Sequence, residues 1–154
     1  MDLDALYRAH APLLLAVATR SLGAHRLAEA ETCVQEAFAA AIAQWPVKGE
    51  PDNKPAWLVA VTKRRATDVL RRARVGDASP EDLAAVEPEP SADETGDLVR
   101  MLFVCCHPAL SAESQVALAL RTLLGFPVAA IARALLSDNV SVEKRLVRAR
   151  QTLR

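Results

Sequence analysis

The chain is poor in the residues that mark several common protein classes. Aromatic side chains make up 4% of its 154 residues. With Ala, Leu, Arg and Glu abundant, there is little case for a β-sheet, and the composition favours helices. No apolar run approaches the roughly 20 residues of a membrane span. Met1 is followed by Asp2 and Asp4, not by the basic and apolar regions of a secretory signal. A soluble, cytoplasmic protein with no membrane partner is the expectation. Three cysteines, Cys33, Cys105 and Cys106, leave one over in any pairing, which argues for reduced thiols. There is no glycine-rich phosphate loop, dinucleotide fingerprint or Ser-His-Asp pattern, and His10, His25 and His107 are scattered. No catalytic residue and no cofactor are therefore expected. Cys105, Cys106 and His107 are adjacent and lack the usual zinc-ligand spacing, so no metal is expected either.

The formal net charge is zero, which alone suits nucleic acid poorly, but the charges are segregated. Gly76 to Asp97 holds eight acidic residues and no Lys or Arg. The rest of the chain then carries 19 basic against 11 acidic side chains, about +8. Two basic modules flank an acidic strap. With Pro80, Pro88 and Pro90 and little apolar content, the strap reads as an extended tether unable to bury enough surface to order itself.

Helical periodicity organises both flanks. Leu3, Leu6, Tyr7, His10, Leu14, Val17 and Ala18 predict a first helix ending near Gly23. A second runs from about Ala28 to Trp45 and is expected to stop at Pro46. A loop over 47–54 follows, then a third helix from Pro55, with Asn53 or Lys54 at its start. Trp57, Leu58, Val61, Val69 and Leu70 face inward there, while Lys63, Arg64, Arg65, Arg71, Arg72 and Arg74 crowd the later turns. Asp68, four residues from Arg64 and from Arg72, suggests helix-face ion pairs. Downstream, 98–106 and 112–124 are expected to be helical, with Ser111 an N-cap. The fold class is all-α: two small helical domains joined by an acidic linker, at 1–75, 76–96 and 97–154.

The last stretch is the most informative. Val128, Ile131, Ala132 and Leu135 form one apolar stripe of a short helix begun at Pro127. Ser137, Asp138 and Asn139 supply a turn and a cap. A second helix follows with Val142, Leu146, Ala149 and Leu153 inward and Ser141, Lys144, Arg145, Arg148 and Gln151 on the opposite face. This pattern fits a helix-turn-helix whose recognition helix presents donors to bases and phosphates. An ordinary helical hairpin with a solvated basic face fits the bare pattern equally.

The wording of three segments adds to this. Glu31-Thr32-Cys33-Val34-Gln35-Glu36-Ala37-Phe38 resembles the segment with which bacterial sigma factors grip core RNA polymerase. Pro55-Ala56-Trp57-Leu58 followed by 63–72 is similar to the part of the same domain that melts and holds the −10 promoter element. Residues 141–150 resemble the region that reads the −35 element. In this order the segments resemble the extracytoplasmic-function group of sigma-70 family factors, reduced to regions 2 and 4. Cys105 to Ser111, Val116 to Leu118, and Arg145 to Ala149 resemble a subgroup that usually carries a C-terminal helical-repeat extension.

The resemblance implies contact with core polymerase at Val34, Gln35, Glu36 and Phe38. It implies −10 DNA contact at Asn53, Lys54, Lys63, Arg64, Arg71 and Arg72, and −35 contact at Ser141, Lys144, Arg145 and Arg148. Implied partners are core RNA polymerase, promoter DNA, and an anti-sigma factor or a C-terminal extension. Two other readings remain open at this point: a stand-alone helix-turn-helix regulator, and a sigma-like interaction protein without promoter reading.

Overall fold

A computed structural model of the chain describes residues 2–77 and 93–154, without the side chains of 75–77. Residues 78–92 of the strap expected at 76–96 lie outside the described residues. Among those residues there are seven α-helices and no strand.

The first helix, α1 (Leu3–Leu22), starts at Asp2, whose carboxylate accepts from the Ala5 amide at 3.0 Å. Gly23, at φ 88°, turns the chain into a short 3₁₀ segment at Ala24–Arg26 and then α2 (Leu27–Lys48). The helix passes through Pro46 instead of stopping there. Proline removes one amide donor near a helix end, where few bonds remain to lose. Trp45 also anchors the last turn, buried against Trp57 with ring centroids 5.3 Å apart. The stop comes at Gly49, again at φ 88°, whose amide donates to the Trp45 carbonyl.

Next comes α3 (Lys54–Asp77), capped by Asn53, whose side-chain oxygen accepts from the Ala56 amide at 3.0 Å. The fourth helix, α4 (Glu94–Cys105), begins earlier than the apolar pattern suggests, because Asp93 caps it. Glu94, Thr95 and Gly96, expected within the tether, therefore open this helix, and Asp97 lies in its first turn. It is 1% exposed and lies 3.1 Å from both Arg20 of α1 and Arg100. With Met101 and Cys105 it forms the buried face of α4. α1 lies centrally and packs on α2, α3 and α4.

The remaining helices are α5 (Ala112–Thr122), α6 (Val128–Ala134) and α7 (Asn139–Thr152). Ser111 and Asp138 cap α5 and α7 through the Ser114 and Ser141 amides. α5 ends at Thr122, short of Leu124, ahead of Gly125 at φ 66°. Both α5 and α6 pack on α7 around Leu118, Ile131, Val142, Leu146 and Ala149, all buried. A single apolar core runs from Leu14, Leu27 and Phe38 through Met101 to these residues.

Candidate nucleic-acid interface

α7 owes its orientation to a strict seam. Val142, Leu146, Ala149 and Leu153 are all buried, as the apolar spacing predicts. At 100° per residue the direction opposite this seam is occupied by Val140, Lys144, Val147, Arg148 and Gln151, and all five are exposed. Lys144 and Arg148 thus stand on the outward face.

Ser141 and Arg145 stand to one side of it. The Ser141 hydroxyl donates to Asp138 at 2.6 Å, and its amide donates to the same carboxylate at 2.8 Å. These two bonds hold the Asp138 carboxyl below its usual range. Arg145 reaches back to Glu113 of α5 at 2.6 Å. Its guanidinium braces the motif, so only part of its donor set remains available to a ligand. The sequence pattern places five donor residues on one face; the helical angle separates them into three outward residues, Lys144, Arg148 and Gln151, and two lateral ones, Ser141 and Arg145. Val140 and Val147 face outward as well, legible from the same helical angle but not from donor chemistry.

The basic face of α3 divides similarly. Arg64 and Arg72 are exposed and Lys63 is half-buried. Asp68 pairs with Arg71 at 3.0 Å, one residue short of the expected Arg72 and on the far side from Arg64, because the three-residue spacing closes on this rotamer. Lys54 pairs with Glu50 at 2.5 Å, which lowers the Glu50 pKa. The side-chain oxygen of Asn53 is engaged as the cap. Lys63, Arg64 and Arg72 have no ion-pair partner within 4 Å among the described residues.

On α2, Gln35 and Glu36 are exposed, whereas Val34 and Phe38 are 3% and 5% exposed and belong to the core. Phe38 stacks obliquely on Tyr7 at 4.9 Å. The two apolar residues expected at a polymerase contact therefore fix the helix from below and offer no surface in this arrangement. Glu36 lies 3.4 Å from Arg65 of α3, and Glu31 lies 2.6 Å from Arg150 of α7. A cavity of about 110 Å³ beside this last pair is lined by Tyr7, Pro12, Gln35, Arg121 and Gly125 among others.

The cysteines do not converge. The Cys105 thiol is buried 3.1 Å from the Thr122 hydroxyl, which itself donates to the Leu118 carbonyl at 2.7 Å. The thiol is therefore the donor to Thr122, and burial pushes its pKa up. Cys106 is exposed, and the His107 ring nitrogen Nδ1 accepts from the Ala109 amide. Among the described residues no group of three His, Cys, Asp or Glu side chains could hold a metal ion, and no helix is long and apolar enough to cross a membrane.

Comparison with known proteins gives two family matches in chain order. Residues 6–75 match Sigma-70 region 2, and residues 100–153 match Sigma-70, region 4. The chain is also 39% identical, over 131 residues, to an uncharacterized protein of Rhizobium meliloti (strain 1021). That alignment covers 79% of this chain and 31% of the relative, so the chain spans about a third of the relative's length.

Proposed function

Because the chain belongs to the sigma-70 family, in its extracytoplasmic-function type, we propose that it binds core RNA polymerase and directs it to promoters through −10 and −35 contacts. The family consists of DNA-binding factors of transcription initiation, not of enzymes. In this reading residues 1–75 act as region 2, 76–96 as the tether and 97–154 as region 4, and the protein works in the cytoplasm.

Gln35 and Glu36 meet the polymerase, held in register by Val34 and Phe38 beneath them. Arg64, Arg72 and Lys63 track the backbone of the melted −10 strand, with Arg71, Asn53 and Lys54 at the margin of that track. Opening the duplex costs free energy that no nucleotide hydrolysis supplies, so binding to the unpaired strand offsets it. Lys144 and Arg148 contact the −35 duplex. Arg145 and Ser141 act mainly by fixing α7, and each can add a phosphate bond at the edge of the face.

The observation that carries this reading is the outward Lys144 and Arg148 pair on the second helix of a helix-turn-helix, set opposite a fully buried seam. The test is co-elution of the full chain with bacterial core polymerase on gel filtration, followed by run-off transcription from host genomic fragments. Discrete starts that vanish in the Lys144→Ala, Arg148→Ala double variant are expected. Co-elution with no discrete start would overturn the promoter-reading role, and absence of co-elution would overturn the polymerase role.

A further inference from the structure

The turn between α6 and α7 carries a residue that folding does not favour. α6 ends in a double hydrogen-bonded motif: the Ser137 amide donates to the Ala132 carbonyl at 2.8 Å, and the Leu136 amide donates to the Arg133 carbonyl at 3.3 Å. Such a motif requires its first non-helical residue to take a left-handed backbone, the position where glycine is preferred. Leu136 occupies it, at φ 50°. A bulky side chain there is strained. Its side chain gains nothing in return, being 96% exposed.

Four residues on, at the N-terminal end of α7, Val140 points away from the buried seam and is 57% exposed. One exposed aliphatic side chain thus lies in the turn just before α7 and another in its first turn, and on the same helix face as Val140 stand the exposed cations Lys144 and Arg148. Strain and exposure concentrated at one spot point to a ligand, because neither benefits the isolated fold. Asp138, between the two aliphatic residues, is committed to the Ser141 amide and hydroxyl as the helix cap, and the exposed Lys144 and Arg148 farther along the outward face suit an anionic ligand with an apolar feature. In duplex DNA the apolar group displayed in the major groove is the C5-methyl of thymine, which aliphatic side chains contact. The first turn of a recognition helix is the part that reaches base edges.

We propose that Leu136 and Val140 form an apolar clamp that reads thymine methyl groups in the −35 element, while Lys144 and Arg148 bind phosphates and base acceptors beside it. This rests on the reading of α7 as the −35 helix, and it adds a base preference that the donors do not supply.

The test uses the full chain with core polymerase. The probe is the promoter duplex that gives the strongest run-off start, made with thymine or with deoxyuridine, which lacks the methyl, at each −35 thymine position in turn. Loss of one well-packed methyl is expected to weaken wild-type binding about fourfold at one or two positions. In Leu136→Gly and in Val140→Ser the thymine and uracil duplexes should bind within experimental error of each other. Leu136→Gly should also melt no lower than wild type, since it relieves the strained backbone. Lys144→Ala should weaken both duplexes alike and keep the fourfold ratio.

A wild-type protein indifferent to uracil at every position, or variants that keep the full ratio, would overturn the clamp while leaving the −35 reading intact. Variants that lose co-elution with polymerase, while the chain alone still binds the duplex with the wild-type ratio, would overturn the clamp and assign the patch to a protein contact instead. An unchanged affinity in the Lys144→Ala, Arg148→Ala double variant would remove the −35 reading itself, and the clamp with it.

Discussion

Cys33 sits on the inner side of α2, where burial first, and then the nearby Glu36 and Glu29 carboxylates, push its thiol up to about 11 from an ordinary 9.0. The fold therefore favours the protonated form. That contribution is fully present below pH 9, where the unfolded thiol is also neutral, and it is lost as pH rises toward 11. The melting temperature should fall across this alkaline window, and Cys33→Ala should flatten that limb of the profile. Iodoacetamide at pH 8 offers a direct check by mass spectrometry: Cys106 should alkylate in the native chain, while Cys33 and Cys105 react only in urea. Asp97 is the other residue whose environment departs from its type. It is a buried carboxylate between two arginines, and removing one partner of such a pair strands the remaining charge. Asp97→Ala should cost about 2–3 kcal/mol in chemical denaturation, with only part of that recovered by Asp97→Asn, which keeps hydrogen bonding but not the charge.

At the scale of elements, periodicity and capping made most helices legible before any coordinates. Asn53, Ser111 and Asp138 each cap the helix expected after them, because a short polar side chain ahead of an apolar stripe has one favourable use. Pro46 was misleading for a tertiary reason: the buried Trp45–Trp57 contact holds the last turn of α2 in place despite the missing donor. The start of α4 was obscured by charge, since Asp93, Glu94 and Gly96 read as the end of an acidic tether although Asp93 caps the helix. The buried use of Asp97 shows only when Arg20, from the far end of the chain, is found beside it. The roles of the arginines in α7 were legible only in part. Counting donors does not distinguish Arg145, committed to Glu113, from Arg148, which faces outward. This difference predicts opposite signatures. Lys144→Ala and Arg148→Ala should each lower promoter affinity and reduce the salt slope by about one, with unchanged melting. Arg145→Ala should lower the melting temperature, and the charge-swapped pair Arg145→Glu with Glu113→Arg should restore it.

In the whole molecule the two modules are packed together, and this has a consequence for promoter reading. Arg150 of α7 meets Glu31 of α2 at 2.6 Å, both side chains being about four-fifths covered. The α5–α6 turn lies against α1 at the place where Pro12 withholds an amide from the Arg8 carbonyl. A chain of this length folded into one body has a radius of gyration of about 15 Å. Elements centred on −10 and −35 are roughly 25 base pairs apart, or about 85 Å along the duplex at ~3.4 Å per pair. On the proposed reading, helices α3 and α7 could not reach both elements while α7 stays on α2, so the packed form would have to open for both to be bound. The Glu31–Arg150 pair opposes that opening, and a partly covered pair of this kind contributes about 1 kcal/mol, or about a fivefold change in the ratio of open to packed chains. Glu31→Gln or Arg150→Gln should therefore raise the radius of gyration measured by small-angle scattering of the free chain, as should 1 M salt in wild type, where the screening length is about 3 Å. The swapped pair Glu31→Arg with Arg150→Glu should return it toward the compact value. If the radius is the same in all variants and at all salt concentrations, the pair does not govern opening, and the apolar packing of α4 on α1 is left to hold the modules together.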